Sequence, residues 1–255
     1  MTDDAPLLDI TDVHVSFDGI RVLNGLNLRL QPGELRCLIG PNGAGKTTLL
    51  DIVSGLLRPQ RGHVQFAGHD VRRLAPHQLV HLGLGRKFQT PAVFPTLSVR
   101  QNLECAGSSR DAGLRLLWPA VGAIGQRVAE VLELTGLGAR AGERAGTLSH
   151  GQQQWLEIGM LLMHTPKLLL LDEPVAGLTR AERERTADLL RSIHHDCAVL
   201  IVEHDMAFVR QLGSTVTVLH QGSVLVEGPM ETVQNDARVI EVYLGKSDAT
   251  ERVAV

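Results

Sequence analysis

The chain has 255 residues, enough for one large domain or two small ones, and its 44% hydrophobic content is ample for a core. With 25 basic residues against 28 acidic ones the formal charge is −3, which removes the electrostatic footprint expected of a nucleic-acid binder. Cys37, Cys105 and Cys197 are odd in number, widely spaced and set among apolar residues, as expected of reduced core thiols rather than a disulfide framework or a zinc site.

The N-terminus carries Asp3, Asp4, Asp9 and Asp12 and lacks the basic start and apolar centre of a signal peptide, so the chain is expected to remain in the cytoplasm. Residues 7–30 read as short antiparallel strands, with alternation in Val13, Val15 and Phe17 and a turn at Asp18-Gly19. Phe17 is either a core residue of that layer or a face on which a base stacks, and its position leaves both open. Gln31-Pro32-Gly33 then leads into an apolar strand, Leu35 to Ile39. Next come Gly40-Pro41-Asn42-Gly43-Ala44-Gly45-Lys46-Thr47 and an apolar-periodic helix through Leu49, Ile52, Val53 and Leu56. Strand, glycine loop and helix in this order make a P-loop. The glycines let successive N–H groups turn inward on an anion, and the helix N-terminus adds its partial positive charge. Lys46 is expected to reach the β- and γ-phosphates of a nucleotide, and Thr47 to ligate Mg²⁺.

A turn at Arg58 to Gly62 and a strand from His63 to Ala67 follow, then a helix over Pro76 to Leu82 with His77 and His81 one turn apart. That spacing can bind zinc, but the stretch lacks both the Glu of a metalloprotease motif and a third ligand, so no metal site is expected there. Leu84 to Pro91 reads as a strand ending in the polar Gln89 and a proline break. From Pro91 to about Pro166 the pattern becomes helical, with Ser98 as an N-cap and Val128, Val131, Leu132 and Leu134 as an apolar stripe. Ser108 to Gly125 reads as loop and short helix. Leu148-Ser149-His150-Gly151-Gln152 opens a helix that is nearly all apolar from Trp155 to Met163, and its N-terminus is a second potential anion site. The stretch from Leu156 to Leu171 is broken by Glu157, His164, Pro166 and Lys167, so it does not supply the ~20 apolar residues of a membrane span.

Leu168 to Leu171 fits a strand buried on both faces of a parallel sheet, with Asp172 and Glu173 at its carboxyl end, where ligands bind in open α/β sheets. Arg180 to Arg191 alternates in charge and reads as a solvated helix face. Ala198 to Val202 repeats the buried-strand pattern and ends at Glu203-His204-Asp205. Thr215 to Leu219 and Val224 to Val226 flank a hairpin turn at His220-Gln221-Gly222-Ser223, and a helical pattern through Val239, Ile240, Val242 and Leu244 closes the chain. The fold class is therefore α/β: a P-loop NTPase core with a parallel sheet, an N-terminal antiparallel β-subdomain and an inserted α-helical subdomain. A single domain is expected over residues 1–255, with 1–90 and 165–255 forming the nucleotide core and 91–164 the helical insert.

Such a sheet sets Lys46, Thr47, Asp172, Glu173 and His204 along one edge, with Gln89 entering from the insert, which is the layout of a nucleotide hydrolysis site. Asp172 would hold Mg²⁺ through its water shell, Glu173 would polarise the attacking water, and His204 would donate to the γ-phosphate.

At these residues the sequence resembles the ATP-binding cassette subunits of ABC transporters, over essentially its whole length. Gly40 to Thr47 matches the Walker A motif, Gln89 the Q-loop and Leu148 to Gln152 the signature. Leu168 to Asp172 with Glu173 matches Walker B, and His204 the switch histidine. The resemblance implies ATP and Mg²⁺ as cofactors, with Glu173, His204 and Gln89 catalytic and Thr47, Gln89 and Asp172 at the metal. It implies that Phe17 stacks on adenine and that Gly40, Pro41, Asn42, Gly43, Ala44, Gly45, Lys46, Thr47 and Thr48 bind the nucleotide. It further implies that two subunits pair head to tail, so that Ser149 and Gly151, with Gln152 beside them, cap the γ-phosphate held by the other P-loop. The implied partners are a second cassette, in a heterodimer or homodimer, two transmembrane permease subunits and, indirectly, a solute-binding protein. They place the chain on the cytoplasmic face of the plasma (inner) membrane.

Within the family the chain is similar to the branched-chain amino acid and urea importer group. It is closer to the urea-type subunit through Gly33 to Cys37, Gly85 to Gln89, Gln154 to Met160 and Val239 to Leu244. Urea import is thus the expected function. Branched-chain amino acid import is the alternative, and a soluble ABC ATPase outside transport a further one. Two departures stand out: His150 replaces the usual Gly of the signature, and Ala176-Gly177-Leu178-Thr179 lacks the aspartate that usually ends the D-loop. The resemblance also puts Thr90-Pro91-Ala92-Val93-Phe94-Pro95 beside the groove for a permease helix.

Overall fold

The computed structural model describes residues 5–88, 92–108 and 121–244. The N-terminal alternation becomes β1 (Leu8–Phe17) and β2 (Ile20–Leu30), an antiparallel pair whose alternate residues are buried. After β3 (Leu35–Ile39) and α1 (Lys46–Val53) the chain returns as β4 (Arg61–Phe66) and β5 (His69–Asp70), completing a sheet of order β2-β1-β4-β5. α2 (Pro76–His81) and β6 (Leu84–Lys87) lead to the inserted helices α3 (Val99–Ser108), α4 (Val121–Thr135) and α5 (His150–Leu162). Two buried strands follow, β7 (Leu168–Asp172) and β8 (Ala198–Val202), separated by α6 (Arg180–Ile193). The last elements are α7 (Met206–Leu212), the hairpin β9 (Thr215–His220) and β10 (Ser223–Pro229), α8 (Met230–Gln234) and α9 (Ala237–Leu244).

The second sheet has the order β10-β9-β3-β8-β7-β6, parallel throughout except for β10 at its edge. Its central strands β3, β8 and β7 are buried at every position because the sheet is covered on both faces. Leu169 and Leu171 of β7 join Val199 and Ile201 of β8 in a core shared with α3 to α7. Leu168, Leu170, Ala198, Leu200 and Val202 face the other way, into a core shared with α1 and the antiparallel sheet. No helix among the described residues is long and apolar enough to cross a membrane.

Several local readings change. α1 ends at Val53 rather than running through Leu56, because Gly55 adopts a left-handed φ of 72° and turns the chain outward, leaving Leu56 exposed. In α4 the stripe continues through Thr135, whose hydroxyl bonds to the Val131 carbonyl, and Leu134 points to solvent. α6 has the solvated charges expected of it but also a buried face, Thr186, Ala187, Leu189, Leu190 and Ile193, hidden in the sequence among those charges. α7 has no counterpart in the sequence reading; Asp205 caps it by accepting from the N–H groups of Ala207 and Phe208, and Gly213 ends it. Cys105 is not a core thiol: it lies on the outer face of α3, while Cys37 and Cys197 are buried, a setting that pushes both thiols up to about 12. Most of the loop reading for Ser108 to Gly125 lies outside the described residues.

The β9–β10 turn packs directly on the P-loop. Gly222 donates its N–H to the Ala44 carbonyl (3.2 Å) and accepts from the Asn24 N–H (2.9 Å), and a Cβ there would lie 2.4 Å from the Val22 carbonyl oxygen. Gly68 has nearly the same φ, 79° against 78°, but an added Cβ would meet nothing within 4 Å. Gly68→Ala should therefore cost about 1 kcal/mol, the left-handed strain alone. Gly222→Ala should cost about 2–4 kcal/mol, strain plus overlap. Urea unfolding of both variants measures the difference; equal losses would mean that the turn does not press on the β2 backbone at Val22 to Asn24 as the geometry requires.

Candidate active site

The register of three parallel strands assembles the site. Leu38 of β3 is opposite Val202 of β8, and Val202 is opposite Asp172 of β7, so the three strands end level. One residue further on, Glu203 donates its N–H to the Leu38 carbonyl (3.3 Å) and Glu173 donates its N–H to the Val202 carbonyl (2.9 Å). All three strands leave the sheet at the same carboxyl end, the place where side chains are free to meet a ligand.

The first exit is the phosphate loop. Gly40 approaches β9 so closely that a Cβ would sit 2.2 Å from the Leu219 carbonyl oxygen, and Gly45, the N-cap of α1, lies against Leu23 of β2. Glycine is thus needed here for close packing as well as for the bend. Lys46 Nζ donates to the carbonyls of Gly40 (2.7 Å) and Pro41 (3.1 Å), which keeps the ammonium over the loop. Burial lowers its pKa, and the nearby Glu173 and Asp172 carboxylates oppose that shift. Asn42, Gly43 and Thr47 are exposed, Pro41 and Thr48 half-buried and Ala44 buried. Phe17, at the end of β1, is exposed, so it is not the core residue that one reading allowed.

The second and third exits carry the acids. Asp172 is buried, and this burial, reinforced by Glu173 and by Asp51, holds its carboxyl above the usual range against the pull of Arg86 and Lys46. Arg86 is itself fixed by Asp51 (2.7 Å) and the Ser54 hydroxyl (2.6 Å) of α1. A buried carboxylate within electrostatic reach of Lys46, whose neighbour Thr47 is exposed, offers the hard oxygen chemistry that suits Mg²⁺, so Asp172 and Thr47 fit that ion. Glu173 has a φ of 48°, a left-handed strain of about 1–2 kcal/mol. Its Oε1 lies 3.3 Å from His204 Nδ1. The structure therefore brings Lys46, Asp172, Glu173 and His204 together. Gln89 lies outside the described residues.

The signature residues are elsewhere. Ser149 is the N-cap of α5 in a reciprocal capping box with Gln152, as S-x-x-Q spacing dictates. Its other partner is Glu182 of α6, and among the described residues no hydrogen bond joins Ser149, Gly151 or Gln152 to the P-loop of the same chain. His150 turns to Gln154 (3.1 Å) and borders Gly177.

Two charged groups at this end of the sheet escaped the sequence reading. Glu203 is only 1% exposed, yet it accepts from the N–H groups of Val175, His204 and Asp205, tying the turn after β7 to the turn after β8. Burial raises its pKa and those three donors oppose the rise. Lys87, also 1% exposed, stands 3.5 Å from Glu157 of α5 and so links the strand before Gln89 to the helix headed by Ser149. The available signal was a charge placed where the apolar period demands burial, directly after a run such as Ala198 to Val202.

A strained acid beside a histidine, a lysine over a glycine loop and an acid suited to Mg²⁺ form a nucleotide-hydrolysing arrangement, and likeness to known proteins agrees with it. Residues 23–176 match the ABC transporter family, and residues 223–249 match the family described as branched-chain amino acid ATP-binding cassette transporter. The high-affinity branched-chain amino acid transport ATP-binding protein BraF of Pseudomonas aeruginosa is 33% identical over 95% of this chain and 99% of its own. A crystal structure of the ADP conformation of an ATP-binding cassette from an ABC transporter superposes with a TM-score of 0.82 at 28% identity, covering 94% of this chain and 99% of that one. A dimeric cassette in a post-hydrolysis state, bound to ADP and Pi, gives 0.73 at 25% identity, covering 88% and 98%. With the family matched over residues 23–176, a relative 33% identical along nearly the whole chain and the same fold in solved cassettes, the chain belongs to the ABC transporter family and is one of its ATP-hydrolysing cassettes.

Proposed function

We propose that this cassette powers a branched-chain amino acid importer, and the observation that carries its chemistry is the convergence of Lys46, Asp172, Glu173 and His204 at the carboxyl end of the sheet. Lys46, already held over the loop carbonyls, shifts to the β- and γ-phosphates of ATP, with the N–H groups of Gly40 to Thr48 around them and Phe17 against the adenine. Thr47 and Asp172, with Gln89, are the residues to hold Mg²⁺, which supplies charge neutralisation across the phosphates. Glu173 takes the proton of the attacking water as general base. His204, 3.3 Å from Glu173 through Nδ1, orients that carboxylate and donates to the γ-phosphate. Ser149, Gly151 and Gln152 act in trans, capping the γ-phosphate on a partner cassette, in keeping with their lack, among the described residues, of a hydrogen bond to the P-loop of their own chain.

The solute is argued from likeness. The name of BraF and the match of residues 223–249 support branched-chain amino acids. That matched segment contains Val239 to Leu244, one of the stretches that carry the resemblance to the urea-type subunit, so the urea reading has less support than its alternative. Deleting this protein should abolish energy-dependent leucine uptake and leave urea uptake intact, measured with labelled solutes; the reverse pattern would restore the urea assignment.

The same reading places the chain beside two permease subunits on the cytoplasmic face of the membrane. Exposed Leu56, Val80 and Phe88 line a groove of about 300 Å³ between α1, α2 and β6, an apolar surface suited to an amphipathic permease helix. Phe94 is also exposed, and the buried Asn102 holds its backbone at both N–H (2.8 Å) and C=O (3.1 Å), so the ring is presented on a fixed turn. Phe94→Ser should leave thermal stability nearly unchanged and ATP hydrolysis active while transport per ATP falls, read in reconstituted vesicles. A drop in melting temperature without that uncoupling would assign Phe94 to packing alone.

Lys46 and Glu173 should separate by experiment. Lys46→Ala removes a charged donor, and ATP affinity should fall about 10- to 100-fold with turnover falling alongside. Glu173→Gln keeps the shape and Asp172, so binding should persist while hydrolysis drops about 100-fold or more. Nucleotide titration and phosphate release measure the two; a Glu173→Gln enzyme that hydrolyses at the wild-type rate would remove Glu173 from the role of base.

A further inference from the structure

Ser149, Gly151 and Thr179 converge on a carboxylate for which the hydrolytic reaction has no use. Glu182, in the first turn of α6, accepts the Ser149 hydroxyl through Oε1 (3.1 Å) and the Thr179 N–H and hydroxyl through Oε2 (3.0 and 2.9 Å). The carboxylate also lies against Gly151, where an added Cβ would be 2.6 Å from Glu182 Oε1 and would have to push it aside. The Thr179 N–H above all, then the hydroxyls of Thr179 and Ser149 and the nearby His150, hold the Glu182 carboxyl below its usual range. An anion thus sits at the N-terminus of α5, where the helix dipole favours one.

A serine hydroxyl has a single proton to give. Ser149 Oγ accepts the Gln152 N–H (3.3 Å) and gives that proton to Glu182, so while the contact lasts it has none for a phosphate oxygen. We propose that Glu182 is a positioning residue for Ser149, an internal anion that occupies the α5 N-terminus until the γ-phosphate of ATP on the partner cassette displaces it. The inference rests on the reading of Ser149 as the γ-phosphate cap. Displacement requires only rotation of the Glu182 side chain, and Oε2 can stay on Thr179 as Oε1 swings away. One carboxylate thus bonds both the signature serine, through Oε1, and the end of the D-loop, through Oε2. The contact also sets a threshold: ATP must outcompete a resident charge before the pair closes.

Glu182→Gln tests this, since Gln at the same helical position preserves the capping box with Thr179 and the side-chain size while removing the charge. In the assembled transporter, half-saturating ATP for hydrolysis should fall about two- to fivefold, as expected for a partly exposed charge, with a smaller change in maximal rate. Glu182→Ala, which also removes the charge, should shift it the same way even if it loses some thermal stability. A half-saturating ATP that stays level or rises in both variants overturns the proposal, because a purely structural Glu182 would give that result. Ser149→Ala separates the two layers of the argument. If it raises half-saturating ATP while the Glu182 variants fail to lower it, the cap reading stands and the inference alone fails; if it has no effect, the cap reading fails and the inference with it.

Discussion

The level ending of β3, β8 and β7 is the constraint on which everything else depends. Parallel strands have evenly spaced, slanted hydrogen bonds and no freedom to slip once both faces are packed. A shift of one residue in β7 would exchange Leu169 and Leu171 with Leu168 and Leu170 between the two cores and carry Asp172 and Glu173 to each other's places. Because that exchange swaps leucine for leucine, the run alone does not choose the register; the Lys167 N–H to the Gly83 carbonyl and the Glu173 N–H to the Val202 carbonyl, at its two ends, set the acids against Lys46, and the left-handed φ at Glu173 is tolerated because the bond to Val202 fixes the residue from one side.

Buried charge adds a second layer of fixation. A carboxylate or ammonium removed from water is costly unless donors or acceptors reach it, and then it permits few alternative arrangements. Glu203 takes three backbone N–H groups from two loops, so His204 and the residues after Glu173 cannot move independently. Arg36 of β3, 5% exposed, bonds to Glu34, to Thr217 of β9 and to Glu227 of β10, and so joins the P-loop strand to the hairpin whose turn packs on Ala44. Lys87 and Glu157 are less well satisfied: Glu157 Oε2 makes no hydrogen bond, and burial raises the pKa of that carboxyl. A pair of this kind contributes little stability. Its effect is positional, holding α5 to the strand that runs into Gln89.

What was legible in the sequence was whatever short-range chemistry determines. The P-loop, the leucine strand and the hairpin at Gln221-Gly222 each follow from a few adjacent residues, and the acids were found because they terminate a recognisable buried run. The α6 stripe was masked by the charges between its members, α7 by its brevity, and the exposure of Leu56 by one glycine that ends the helix before the apolar period does. Partners distant in sequence were not legible at all. Nothing local to Ser149 announces Glu182, 33 positions on, and nothing in the run Ala198 to Val202 says that the next residue will bond to Val175. Such pairs arise only when helices from the insert and from the core are brought side by side.

The absent D-loop aspartate belongs to that last category. Thr179 is the N-cap of α6: its hydroxyl receives the Glu182 N–H (3.3 Å) and donates to Glu182 Oε2 (2.9 Å). An aspartate in its place could accept the N–H but could not donate, and it would set a second negative charge against the carboxylate that already bonds to Ser149. Glu182 would then lose its hydroxyl donor and be pushed from the α5 N-terminus. Threonine at 179 and glutamate at 182 are thus one feature rather than two, and a cassette that keeps an anion beside its signature serine needs a neutral donor, not an acid, at the end of this loop.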